Sequence, residues 1–138
     1  MNETVKKAAE LYDDGFYCSQ AVLAAFCEKY GMDKTLALKF SCGLNSGVRC
    51  AGICGAVSGA ILVVGLKYGD VKDICNSKTE EYITLFKEKN GSIICRDILG
   101  YDISTPEGKG KAVLENLFKT RCLNMVTSAA QILNDLGY

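Results

Sequence analysis

The sequence predicts an all-α fold: a bundle of about six or seven helices in one domain spanning residues 1–138, packed around a central apolar helix at about 54–68. Three observations predict it. Apolar residues recur at helical spacing along most of the chain, and strand-like alternation is hard to find. The chain has a single proline. Glycines and capping residues fall at the ends of the periodic segments.

The elements follow in order. Glu3 to Asp14 reads as a helix with Val5, Ala8, Ala9 and Tyr12 on one face, closed by Gly15. Cys18 to Tyr30 reads as a second, with Ala21, Val22, Ala25 and Phe26 inward and Gly31 at its end. Asp33 can cap a third through its side-chain oxygen, carrying Leu36, Leu38 and Phe40 toward Cys42. Residues 43–52 are irregular, because Gly43, Asn45, Gly47 and Gly52 all tolerate positive φ. The central helix then runs from about Cys54 to Tyr68. It is apolar nearly all round, and its small residues Gly55, Ala56, Gly59 and Ala60 allow close approach of neighbours.

Ser77-Lys78-Thr79-Glu80 has the spacing of a capping box and predicts a helix from there to Asn90, with Tyr82, Leu85 and Phe86 inward. Ser92 to Leu99 is a short helix carrying Cys95. Ser104-Thr105-Pro106-Glu107 starts another, with proline in the first turn. Val113, Leu114, Leu117 and Phe118 follow, then Val126, Ala129, Ala130, Leu133 and Leu136, as one kinked helix or two in succession.

Composition narrows the function. Formal net charge is zero, with no tryptophan, so nothing draws nucleic acid or an anionic membrane through bulk charge. The longest apolar run, Ala56 to Leu66, is too short to span a bilayer. With no apolar leader at the start, the expectation is a cytoplasmic protein without membrane insertion. Eight cysteines and no histidine then point to metal ligation, reactive thiols or small buried hydrophobes rather than to disulfide staples, since the cytosol is reducing. Without histidine, a Rieske centre and histidine-ligated haem are excluded, and a hydrolase lacks its usual base.

Cys18, Cys54 and Cys95 fall at predicted helix beginnings, where free amides and partial positive charge favour a thiolate and lower its pKa. Cys122 lies on the C-terminal helical stretch and faces inward. Amides near Gly52, Gly55 and Ala56 can donate to the Cys54 sulfur or to a ligand held there. Gly59 lies a full turn further on, and close helix contact is its better account. Cys27 and Cys75 read as packing residues, Cys75 in a short connection after Asp73. Cys50, four residues before Cys54, can bridge to it or supply a further ligand; for Cys42 packing is preferred. Ser19 reads as a capping residue.

Cys-Gly-Ala-x-x-Gly at Cys54 to Gly59, Gly-Phe-x-Cys-Ser-Gln-Ala-Val at Gly15 to Val22, Gly-x-x-x-Cys-Arg-Asp-x-Leu-Gly at Gly91 to Gly100, and the later Cys122 together resemble the C_GCAxxG_C_C family. That family is described as redox-active proteins of about this length. The resemblance covers nearly the whole chain and maps the family's four cysteines onto Cys18, Cys54, Cys95 and Cys122. It departs in the glycine-rich stretch, where Cys42 and Cys50 intrude and several glycines are replaced.

Three functions follow as expectations. In the first, the four dispersed cysteines hold an iron–sulfur cluster that passes electrons to a redox partner protein. In the second, no metal is bound, and Cys54 is the nucleophile of a thiol–disulfide oxidoreductase with Cys50 or Cys18 resolving. In the third, the cysteines form a structural zinc or other metal site in an interaction module. Paired Cys-x-x-Cys knuckles, usual for zinc ribbons, are absent. A homodimer through the small-residue helix is compatible with the sequence.

Overall fold

The computed structural model describes residues 2–138. Among these residues it has eight α-helices and no strand: α1 Glu3–Asp13, α2 Cys18–Phe26, α3 Lys34–Ser41, α4 Gly55–Tyr68, α5 Lys72–Asn90, α6 Cys95–Leu99, α7 Pro106–Leu114 and α8 Arg121–Asp135. None is long and apolar enough to cross a membrane. The expected all-α class is therefore observed.

The predicted central helix shares the middle of the bundle with α2. Every residue of α2 from Ser19 to Phe26 is buried, and α2 packs on α1, α3, α4 and α8. On α4, Val57, Val63 and Val64 are buried, while Ile61, Leu62 and Leu66 are only half-buried. The two helices meet closely because Gly59 has no side chain: a Cβ there would lie 2.6 Å from the Ser19 carbonyl oxygen. Tyr82 and Phe86 of α5 and Val126 and Leu133 of α8 complete the core. Each such side chain stabilises the fold by about 1.5–3 kcal/mol on full burial.

Several boundaries differ from expectation. The helix predicted to start at Ser77 begins five residues earlier, at Lys72. Extending an existing helix costs far less than nucleating one, and nothing between Lys72 and Ser77 breaks it. Cys75 therefore lies on α5 and is half-buried. The second predicted helix turns to 3₁₀ geometry at Cys27–Tyr30. On α3, Ala37 and Ser41 face the core, while Leu36 and Phe40 are exposed. On α7, Val113 and Leu114 are likewise exposed, Leu114 by 87%. The C-terminal stretch is two helices, joined through Asn116 at φ 58°, a conformation asparagine tolerates.

The candidate cysteine cavity

All eight cysteines are free thiols. Cys18, Cys54, Cys95 and Cys122 line one cavity of about 680 Å³. Each sits at the start of a helix: Cys18 opens α2, Cys54 precedes α4 as its cap, Cys95 opens α6, and Cys122 is the second residue of α8. The sequence reading recognised three of these helix starts and missed the fourth, because it left open where the C-terminal stretch divides.

Two short devices assemble the set. The first is an isolated antiparallel bridge between Ile53 and Ile94. Around it the Cys54 amide donates to the Ile93 carbonyl at 2.7 Å, and the Cys95 amide to the Gly52 carbonyl at 2.6 Å. Main-chain hydrogen bonds thus fix Cys54 beside Cys95, although forty residues part them in the chain. The second device is the missing side chain of Gly55. A Cβ there would lie 2.5 Å from the Cys18 sulfur and 3.1 Å from the Leu44 carbonyl oxygen, so only glycine leaves room for the thiol.

The irregular segment before Cys54 winds left-handed. Ser46, Val48, Arg49 and Ala51 have φ of 54°, 57°, 61° and 58°, and Gly47 among them has 62°. For an L-residue this conformation costs roughly 1–2 kcal/mol, most clearly at β-branched Val48. Glycine is obligatory at 47, where a Cβ would lie 2.2 Å from the Gly52 nitrogen. The Gly52 amide, expected to be free to donate to a ligand, donates instead to the Gly47 carbonyl at 3.1 Å. The Val57 amide donates to the Cys54 carbonyl at 3.0 Å, and the Ala56 and Val57 amides together favour the Cys54 thiolate.

The electrostatics reverse one expectation. Helix starts were expected to depress the thiol pKa values, yet all four are raised. Burial is the main cause in every case. The charge of Cys54 raises each of the other three further. Cys95 is pushed up to about 12 and Cys122 to about 11 from an ordinary 9.0. The Ala56 and Val57 amides at Cys54, and those of Ser46 and Ser19 at Cys18, oppose the shift without cancelling it. Desolvation of a charge outweighs a few partial dipoles.

The remaining candidates lie elsewhere. Cys50 is exposed, off the cavity lining, with its thiol on the Gly47 carbonyl at 3.1 Å. Cys42 is half-buried at a 3₁₀ turn and is also off the lining. Cys27 is fully buried in the core, as its packing reading requires. Ser19 caps nothing; its hydroxyl donates to the Ser41 carbonyl at 2.8 Å and ties α2 to α3. The cap is Gln20, whose side-chain oxygen accepts the Tyr17 amide.

Tyr12 of α1 was read only as a core residue. Its hydroxyl donates to the Phe118 carbonyl at 2.5 Å, its ring lines the cavity that Cys122 also lines, and it opposes the rise in the Cys122 pKa. Its helical spacing identified the inward face of α1 but not what that face meets.

Among the described residues no three cysteine, aspartate, glutamate or histidine side chains are gathered as ligands of one metal ion would be. The four sulfurs line a space rather than converge on a point. A family model for the C_GCAxxG_C_C family, described as putative redox-active proteins, matches residues 16–136. The chain belongs to the C_GCAxxG_C_C family. Its membership makes redox activity the class of function, carried by cysteines. No curated protein and no solved structure matches the chain. Tyr12 lies just outside the matched C_GCAxxG_C_C segment, and all four cavity cysteines lie within it.

Proposed function

We propose that the chain holds an iron–sulfur centre on Cys18, Cys54, Cys95 and Cys122 and passes single electrons to a partner protein in a reducing compartment. The observation that carries this reading is the meeting of four thiols, each from a separate helix start, around one cavity. The donor set fits: four soft sulfur ligands with no competing histidine. When bound, such a centre supplies a reversible one-electron couple whose potential follows burial, charge and hydrogen bonding.

The protein's own residues provide the setting. The Ala56 and Val57 amides favour the thiolate of Cys54, and the Ser46 and Ser19 amides that of Cys18. Four helix starts direct partial positive charge at an anionic site. Gly55 holds space for the Cys18 sulfur. Phe16, Leu99 and Met125 add apolar surface to the lining around the sulfurs. Because burial holds the thiols protonated, loading must release protons, and affinity rises with pH.

The same facts weigh against the two other readings. A thiol–disulfide enzyme needs a depressed thiol pKa, and burial raises those of Cys54 and of Cys18, the resolving candidate within the cavity; the other candidate, Cys50, stands off the cavity. A single structural zinc draws thiolates to about 2.3 Å from one point, whereas these surround a cavity.

The test is iron and acid-labile sulfide analysis, with visible absorption, on protein purified without oxygen. Iron, sulfide and colour are expected in the native chain and after Cys27→Ser, and are expected to be lost after Cys54→Ser or Cys95→Ser. A colourless chain with one zinc, or one that loses two thiols on mild oxidation, overturns the proposal.

A further inference from the structure

The cavity extends well beyond the sulfurs. Its volume of about 680 Å³ falls within the roughly 300–1,000 Å³ typical of small-molecule sites. One wall comes from α7, through Lys109 and Val113, a helix without any cysteine. Ile103 and Phe118, from the segments flanking α7, continue that wall with apolar surface.

Charge on the lining is one-sided. The lining carries three cations, Arg49, Lys109 and Lys119, and one carboxylate, Asp13. Among the described residues the ion pairs are Lys7–Glu28, Lys78–Glu81 and Lys111–Glu107, so none of the three cavity cations is paired. Arg49 rests only on the neutral side chains of Asn45 and Ser46, at 3.1 and 3.4 Å. An apolar wall beside unpaired cations selects a ligand with both characters: the wall contributes affinity, and the cations choose the sign of charge.

We propose that the outer part of the cavity binds a small organic anion with an apolar body. Its acid group meets Lys109, Lys119 and Arg49, and its body lies on Ile103, Val113 and Phe118, facing the cysteines. This deepens the reading of the cavity as the redox site, on which it rests, by giving that site a ligand class.

The experiment is fluorescence titration of the full chain, purified without oxygen, with anilinonaphthalene sulfonate and with its uncharged parent, phenylnaphthylamine. Circular dichroism verifies that each variant is folded. One sulfonate per chain is expected, bound about tenfold more tightly than the neutral probe. The double variant Lys109→Glu/Lys119→Glu is expected to erase that preference while leaving the neutral probe unchanged. Val113→Ser is expected to weaken both probes about threefold, since it removes apolar wall and no charge. Equal affinity for the two probes, or a preference that survives the double variant, overturns the inference. Iron and sulfide assays on the same samples separate the two claims. An iron-free chain that still prefers the sulfonate sinks the cluster and keeps the anion site; an iron-bearing chain with no preference does the reverse.

Discussion

The two ends of α4 are built on opposite principles. At its start, Gly55 leaves room for a thiol, nearby amides favour the Cys54 thiolate, and a left-handed loop leads in. At its other end, about 20 Å away for a helix of this length, Tyr68 packs edge-on against Tyr138 with ring centroids 5.8 Å apart. Lys67 lies over both rings, and Lys78 over Tyr68. Lys29 and Lys67 bond the carbonyls of Tyr138 and Gly137. The first end keeps space open at a cost in strain; the second fills space with large side chains. Stability and chemistry are thus separated along one helix.

The sharpest way to break this comparison is Gly55→Ala against Tyr68→Ala. The added methyl collides with the Cys18 sulfur, so the first variant is expected to lose about nine-tenths of its bound iron at nearly unchanged helicity. The second is expected to lower unfolding free energy by about 2 kcal/mol, with iron per folded chain preserved. Parallel metal analysis and denaturant melts decide it; if Tyr68→Ala empties the site as thoroughly, the two ends are not independent.

Alkali sharpens the contrast next. The folded pKa values of Cys122 and Cys95, about 11 and 12, exceed the ordinary 9.0. The stability they contribute is therefore complete below about pH 9 and is lost as pH rises through 11 and 12. Tyr138 at the far end is also pushed up to about 12, but from 10.0, mainly by burial, so its share is lost later. Denaturation midpoints of metal-free protein are expected to fall from about pH 9 upward. The variant Cys95→Ala/Cys122→Ala is expected to make that fall shallower without moving its start, because Cys18, Cys54 and Cys27 are raised from the same 9.0. A fall equally steep in both would assign it to the other cysteines and the tyrosines.

The smallest effect concerns the loop. Val48→Gly relieves a left-handed β-branched residue and is expected to stabilise by about 0.5–1 kcal/mol, after allowing for glycine's greater entropy when unfolded. A matched Gly65→Ala, at a site on α4 with no atom near the added methyl, gains a similar amount from helix propensity. Melting both variants shows whether relief of strain or propensity gives the larger gain.

Much of the scaffold was legible because the rules that set it are local. Val5 and Ala8 on α1, Gly31 after α2, Asp33 before α3 and Pro106 at the start of α7 each act within a turn or two. The capping box at Ser77 misled because those four residues suit the surface of a continuing helix as well as a beginning. The site was legible only in part. The four cysteines carried a family pattern, and Gly55 could be argued from its position beside Cys54. The bridge at Ile53 and Ile94 involves two residues and has no periodicity to betray it. The burial that raises the thiol pKa values comes from chain segments distant in sequence, which no local rule registers. The α7 wall, with Val113 outside the core, runs against the habit of placing apolar residues inward.

The clasp between residues 52–54 and 93–95 is made of main-chain atoms alone. Its spacing is therefore indifferent to which side chains stand at 53 and 94. Ile53, which is exposed, is a place where a spectroscopic label or surface tether can be mounted within a few ångströms of the sulfurs, leaving the hinge pins that hold Cys54 to Cys95 untouched.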